Sequence, residues 1–204
     1  MMHRLSKSML MLLLVSSSAF AQDHKHEVGF NAYYDRVGQD YIKFSGLQKQ
    51  NLMYKNAFSV QLNYNYQLSP LLSLRTGAGY SKRGFSVENM DYSSSYIQVP
   101  VHLGVEVYRD RSVQLTPFAG GYVGIPLESD KTIKDNYFSV PVDSKKVDVG
   151  LEGGISVAFS LNDVYSISFT PRMQFGLSNI YQEYYYEKRR NVAFSFGLGI
   201  IRKI

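Results

Sequence analysis

Along most of the chain, hydrophobic and polar side chains alternate at every second residue. In residues 147–161 the odd positions are apolar apart from one Gly, whereas the even positions are Asp, Gly, Glu, Ser and Ala. Residues 165–177 and 192–200 alternate in the same way. Because successive side chains of a β-strand point to opposite faces, this period of two predicts strands with one apolar and one polar face.

Eight segments show this alternation. The fifth is the weakest, because its three glycines blur the pattern. Most of the segments exceed the five or six residues that are usual in soluble sheets, and they suit the ~9–11 residues that a tilted strand needs to cross a bilayer. The eight predicted strands are residues 28–34, 58–68, 72–80, 97–107, 113–125, 147–161, 165–177 and 192–200.

The connections between these strands alternate in length. Short connections are predicted at 69–71, 109–112 and 161–164, and long ones at 35–56, 86–95, 126–146 and 178–190. Short periplasmic turns opposite long extracellular loops are typical of outer-membrane barrels, and an even strand number leaves both termini on the periplasmic side. The sequence therefore predicts an all-β fold, an eight-stranded antiparallel up-and-down transmembrane β-barrel.

The composition of the polar face favours a membrane barrel over a soluble one such as a lipocalin. A soluble barrel needs a charged outer surface, whereas the polar positions here are mostly Gly, Ser, Asn, Gln and Ala. Lys82 and Arg202 share the parity of the apolar face, but both lie at strand ends, where a lipid-facing cation costs only ~0–1 kcal/mol. We expect lipid on the apolar face and small polar groups in the lumen.

The first 21 residues have the three parts of a secretory signal peptide. A charged start is followed by the apolar run 9–15 and by Ala19-Phe20-Ala21, which places small residues at the cleavage-specifying positions. An uncleaved anchor helix is the alternative, but the apolar run is too short to span a bilayer. We expect a signal peptide at 1–21, a barrel domain at 22–204 and a location in the cell outer membrane.

Composition excludes several classes of function. The 204 residues contain no Cys, which rules out a disulfide framework, a thiolate nucleophile and an acylated Cys anchor. The net charge of +5 does not indicate nucleic-acid binding, because Lys and Arg lie between strands and at strand ends, without a basic helix or stripe. We interpret these charges as solvated loops, and we expect no nucleic-acid partner.

The alternation of odd and even positions along each strand predicts two ion pairs in the lumen. Arg75 and Glu106 lie on adjacent strands near the periplasmic end, and Glu152 and Arg172 lie on the two arms of one hairpin. Charges inside a membrane barrel must be paired, and a barrel of eight strands is only wide enough for its own side chains. We interpret the pairs as a structural plug, with a gate or ion path as the alternative.

No arrangement of residues predicts an enzyme. The sequence has no GxSxG or HExxH motif, and His102 and Glu106 are ~13 Å apart along one strand, beyond hydrogen-bond reach. His24, near the mature N-terminus, could bind Cu(II) together with backbone nitrogens, but the simpler interpretation is a frayed polar terminus. We therefore expect no catalytic residue and no cofactor.

The last long connection combines aromatic and basic side chains that suit binding. Tyr and Arg are typical of interaction hot spots, although the same residues also suit contact with anionic lipid headgroups. We expect outer-membrane lipid as one partner and an extracellular protein or glycan as a candidate for a second one, with the barrel a monomer. The candidate surface comprises Tyr181, Tyr184, Tyr185, Tyr186, Arg189 and Arg190, with Lys188 beside them.

The amino-acid sequences of four predicted strands, in their order and spacing, resemble the PorT-like outer-membrane β-barrel family. They are Tyr96-Ile97-Gln98-Val99-Pro100-Val101, the Gly-rich run 116–124, the Asp-led run 148–155 and Phe175-Gly176-Leu177-Ser178-Asn179-Ile180. The resemblance covers nearly the whole mature chain and implies an eight-stranded outer-membrane barrel, but no particular activity. The chain departs from many outer-membrane barrels because it ends in Arg202-Lys203-Ile204, without a terminal aromatic residue.

Three classes of function are consistent with these features. A structural or interaction barrel that binds through its extracellular loops agrees best with a small, internally paired lumen. A small pore or an accessory of transport or secretion needs a conducting lumen, and a lipid-modifying enzyme needs a catalytic group. We favour the first class.

Overall fold

The computed structural model describes residues 25–43, 54–87, 90–133, 138–141, 147–179 and 187–204. Within these ranges the chain is all β. No helix in them is long and apolar enough to cross a membrane. The strands are β1 (His26–Lys43), β2 (Lys55–Gln67), β3 (Leu72–Val87), β4 (Met90–Val105), β5 (Tyr108–Arg109), β6 (Val113–Ile133), β7 (Phe138–Pro141), β8 (Asp148–Ser160), β9 (Tyr165–Gly176) and β10 (Glu187–Lys203).

Eight long strands close into an antiparallel barrel. The strand order is β4-β3-β2-β1-β10-β9-β8-β6, and a further pairing of β4 with β6 closes the ring. The short strands β5 and β7 pair with β6, at its opposite ends. The predicted eight-stranded antiparallel barrel is therefore confirmed.

The two faces of the wall differ as the alternation predicts. On β10, Leu198 is 64% exposed on the outside, whereas Ser195 is 1% exposed in the lumen. On β9, Met173 is 48% exposed and Gln174 is 0% exposed. The apolar side chains thus form the outer wall, and the core of the molecule is the polar lumen. This inversion of a soluble protein is expected where lipid is the solvent.

The short turns and both ends of the barrel domain lie at one end of the barrel. Gln67 N donates to Lys25 O and Ile204 N to His26 O, both at 2.8 Å. In the β8–β9 turn, the Asn162 side chain accepts from Val164 N at 2.9 Å. These contacts bring the two ends of the domain to the side of the short turns.

At the other end, the strands extend further than the sequence predicts. The long connection expected at 86–95 is wrong, because β3 and β4 continue to Val87 and Met90 and leave only residues 88 and 89 between them. β1 and β6 also continue into the expected loops, to Lys43 and Ile133. Beyond the hydrocarbon region of the membrane, the side chains of a strand need not alternate between apolar and polar. The hydrogen-bonded pairing of the strands therefore continues past the residues at which the hydrophobic alternation ends.

Candidate functional site: a charged cluster in the lumen

Glu152 of β8 lies at the centre of the side chains that fill the lumen. Its Oε1 atom is 3.2 Å from Arg172 Nη1 and 3.4 Å from His102 Nε2. Its Oε2 atom accepts hydrogen bonds from Gln98 Nε2 at 3.3 Å and from Gln174 Nε2. Side chains of β4 and β9 therefore converge from two sides of the barrel on one buried carboxylate.

Arg172 of β9 connects this carboxylate to β1 and β2. Its Nη1 donates to Gln61 Oε1 at 2.6 Å and its Nη2 to Ser59 Oγ at 3.4 Å. Its guanidinium carbon lies 3.6 Å from the centroid of the Tyr33 ring. Tyr33 is the cross-strand partner of Gly197, where a Cβ would overlap the ring. Gly197 thus makes room for the aromatic ring on which the cation rests.

Arg83 of β3 is a second buried arginine at this cluster, and the sequence reasoning did not name it. Arg83 is 3% exposed, and its Nη2 donates to Gln98 Oε1 at 3.1 Å and to Gln174 Oε1. Those two glutamines in turn donate to Glu152. The odd parity of β3, extended past Ser81, would have placed Arg83 in the lumen.

The structure does not bring Arg75 and Glu106 together. β4 ends at Val105, so Glu106 leaves the ladder at the rim of the barrel. There it pairs with Arg109 and accepts from Gln114 Nε2 at 2.6 Å. Arg75 lies opposite His102, four residues from Glu106, which is ~13 Å along a strand. The predicted pair is therefore wrong, because the register places the two groups at different heights.

Arg75 instead packs against aromatic side chains inside the lumen. Its guanidinium carbon is 4.6 Å from the centroid of the Phe118 ring, which also contacts the His102 ring at a centroid distance of 5.0 Å. A desolvated guanidinium over an aromatic face is a favourable cation–π arrangement. Arg75 thus contributes a positive charge next to the Glu152 cluster, and it makes no salt bridge of its own among the described residues.

The contact between His102 and Glu152 was not anticipated. The two side chains are 5% and 1% exposed, and the cavity they share with Arg75 and Thr170 has a volume of about 10 Å³. That volume accommodates about one water molecule. The pair can hold or pass a proton, but the lumen beside it has no room for an organic substrate. Sequence reasoning missed the contact because β4 and β8 are not paired with each other. They flank β6, and His102 and Glu152 lie on either side of Gly120, which has no side chain to separate them.

A second buried carboxylate, Asp148, lies further towards the end opposite the short turns. It is 1% exposed. Its Oδ2 accepts from Asn191 Nδ2 at 2.9 Å and from the Tyr122 hydroxyl at 3.2 Å. Its Oδ1 accepts from Ser178 Oγ at 3.1 Å. Parity predicts this residue in the lumen, and neutral donors rather than a cation hold it there.

The candidate loop surface lies mostly outside the described residues. This applies to Tyr181, Tyr184, Tyr185 and Tyr186. The backbones of Arg189 and Arg190 belong to β10, where they pair with Tyr41 and Asp40 of β1. The backbone at these two positions therefore lies at the rim of the wall, at the end opposite the short turns.

The predicted signal peptide and the candidate copper ligand His24 also lie outside the described residues. His26 lies within them and its Nδ1 is 2.6 Å from the Tyr64 hydroxyl. In the ranges that the structure describes, no group of three or more His, Asp or Glu side chains could hold a metal ion.

Comparisons with known proteins agree with this fold. A major outer membrane protein from Thermus thermophilus has 9% sequence identity and a TM-score of 0.52, with 88% of this chain and 99% of that chain covered. Neisserial surface protein A has 13% identity and a TM-score of 0.50, with 88% and 97% covered. At these identities the likeness concerns the fold alone. No curated protein matches the sequence.

The family assignment comes from a sequence model. The model described as "Outer membrane protein beta-barrel domain" matches residues 20–182, which is most of the chain. Together with the closed barrel and its apolar outer wall, this match establishes the location of the protein in the outer membrane. The chain belongs to the outer membrane protein beta-barrel domain family.

Proposed function

We propose that this protein is a monomeric structural and interaction barrel, closed to solutes, that binds a partner outside the cell through its extracellular loops. The observation that carries the closed lumen is the Glu152 cluster. It joins side chains of β2, β4, β8 and β9 across the full width of the barrel. A small pore would need this cluster to open.

Charge balance in the cluster supports a plug rather than a conduit. Glu152 faces Arg172, and the hydrogen bonds of the pair extend to Gln61, Gln98 and Gln174. A conducting lumen would need continuous water, whereas the cavity at His102 and Glu152 is about 10 Å³. A buried and hydrogen-bonded ion pair resists separation, because each charge alone loses its partner in a low-dielectric interior.

The amino-acid composition of the last long connection supports the interaction role. Tyr181, Tyr184, Tyr185 and Tyr186 precede Arg189 and Arg190 within ten residues, and Tyr and Arg dominate interaction hot spots. An extracellular protein or glycan suits this mixture of aromatic and basic groups. We further propose that the protein is not an enzyme and needs no cofactor.

Single-channel recording in a planar bilayer tests the closed lumen. We expect no steady conductance from the wild-type barrel, and open events in Glu152→Ala, because that substitution leaves Arg172 and His102 without their carboxylate. Arg109→Ala, which removes a rim cation, is the matched control and stays closed. Steady wild-type conductance that Glu152→Ala leaves unchanged would instead support the pore.

Binding by intact cells tests the loop surface. Cells that display the wild-type protein are applied to arrays of glycans and of extracellular matrix proteins, beside a variant in which the four tyrosines of the loop surface are Ser. We expect the variant to lose the signal at a matched surface level. Replacing residues 142–146 with Gly and Ser is the control. Equal signals for all three proteins would contradict the proposed role.

A further inference from the structure

The barrel wall separates between β2 and β3 at the end opposite the short turns. The β2–β3 ladder runs from Gln67–Ser73 to Ser59–Ser81 and stops there. β2 continues to Lys55 along β1, and β3 continues along β4 to Val87. Each strand thus keeps one neighbour and leaves the other, which opens a cleft between them.

The cleft passes from the outer surface into the wall. It has a volume of about 410 Å³. Ser59, which is buried on the lumen side, lines it and also lies 3.4 Å from Arg172 Nη2. The cleft therefore ends one side chain away from the Glu152 cluster. Its lining also includes Lys55, Asn56, Phe58, Val60, Lys82 and Ser93.

The outer rim of the cleft is cationic. Lys82 is exposed on one side, and Arg36 is exposed on the other side, where its Nη1 donates to Asn56 Oδ1 at 2.8 Å. Lys55 reaches over the gap to β4, with its Nζ 2.8 Å from Ser93 Oγ and 3.7 Å from the carboxylate of Asp91. Basic groups at the membrane surface attract anionic headgroups by about 1 kcal/mol each. Because Lys55 has a carboxylate partner, Arg36 and Lys82 are the cations that face an incoming headgroup.

Below this rim, the cleft offers apolar surface. Phe58 is 67% exposed and Val60 is 40% exposed, both on the lipid-facing side of β2. The open edges of β2 and β3 lie beyond Ser59 and Ser81, at the level of the cationic rim. A lipid with polar oxygens for the edges and the rim, and apolar chains for the wall below them, fits the cleft.

We propose that the β2–β3 cleft is a binding site for a phosphorylated, acylated lipid of the outer leaflet. Its phosphate lies between Arg36 and Lys82 and accepts their hydrogen bonds. Its headgroup oxygens meet the open strand edges, and an acyl chain packs along Phe58 and Val60. The proposed contacts of the lipid involve neither Glu152 and Arg172 nor the loop surface, so the site stands or falls separately from the proposed function.

Native mass spectrometry of the purified full-length barrel in detergent tests this site, with lipid A as the probe. We expect Lys82→Ala and Arg36→Ala each to weaken lipid A binding about fivefold, from the ~1 kcal/mol per basic group. Arg111→Ala, an exposed arginine of the β5–β6 turn at the opposite rim, is the matched control and retains binding. Heat-modifiable gel mobility checks that every variant is folded.

A second arm separates the phosphate from the acyl chains. Dephosphorylated lipid A should bind the wild-type barrel more weakly, and Lys82→Ala should weaken its binding no further. Two outcomes would overturn the site. One is equal binding of lipid A with and without phosphate, and the other is a loss in Arg111→Ala as large as that in Lys82→Ala.

Discussion

Two acid–arginine pairs of this barrel have the same chemistry in opposite surroundings. The Glu152–Arg172 pair joins β8 and β9 inside the lumen, and both side chains are 1% exposed. The Glu106–Arg109 pair lies at the rim near the short turns, and its side chains are 12% and 48% exposed. The first pair has further partners on three other strands, whereas the second is shared only with Gln114 in the described part of the chain.

The difference shows that burial, rather than ion pairing, determines what each pair does. Water solvates the separated charges of an exposed pair, so such a pair contributes little to stability. In the lumen, removal of one partner leaves a charge that neither water nor lipid can satisfy. We therefore expect the same substitution to be severe at Glu152 and mild at the rim.

The largest effect is expected for Glu152→Ala. Without the carboxylate, Arg172 loses its ion-pair partner beside the buried Arg83 and Arg75. We expect the free energy of unfolding to fall by ~3–5 kcal/mol, the usual cost of breaking a buried pair. Urea unfolding in detergent micelles, followed by near-UV circular dichroism of the tyrosines and by gel mobility, measures it.

The double variant Glu152→Gln/Arg172→Met sharpens this result. Removing both charges also removes the uncompensated one, and buried pairs replaced by neutral groups of similar size are often no less stable. The double variant should therefore be more stable than Glu152→Ala. If it is as unstable as the sum of its two single variants, the pair is not coupled and the comparison fails.

A smaller effect is expected for Leu198→Arg on the outer wall. Leu198 is 64% exposed near the middle of the apolar outer side of β10, and a cation there has neither water nor a carboxylate. The cost for an arginine at the midplane is ~2–4 kcal/mol. Refolding into lipid vesicles measures the loss, with Leu198→Ala as the size control. If Leu198→Ala loses as much stability as Leu198→Arg, the charge is not the cause of the loss.

Gly197→Val should cost less again. A Cβ at this position overlaps the Tyr33 ring, which must then move away from Arg172. Overpacking of this kind costs ~1–3 kcal/mol. Gly153→Ala, where a Cβ meets its nearest atom at 3.5 Å, is the control in the same unfolding assay. Equal stability of both variants would exclude the crowding at Tyr33.

The smallest effect is expected for Arg109→Ala at the rim. The Arg109 side chain is 48% exposed, so water solvates the Glu106 carboxylate once its ion-pair partner is removed. We expect a change of ~0–1 kcal/mol, within the scatter of the unfolding assay at moderate salt. A loss comparable to that of Glu152→Ala would mean that exposure does not govern these pairs.

The strand ends show how far the sequence signal reaches. In the lipid-facing band, every second side chain contacts lipid and must be apolar, so the alternation identifies the strands there. Outside that band no such demand exists, and the extension of β3 to Val87 and of β1 to Lys43 left no hydrophobic pattern. The predicted loop at 86–95 was wrong for this reason.

The sequence alone determined the eight strands, the face of each and the adjacency of Glu152 and Arg172, because a period of two and a short turn are local properties. The tertiary structure decided the rest. The registers of β4 and β8 against β6 placed His102 and Glu152 on either side of Gly120, and the β3 register kept Arg75 away from Glu106. The ladder between β2 and β3 ends at Ser59. Such features depend on the stagger between paired strands, which the order of residues along one strand does not specify.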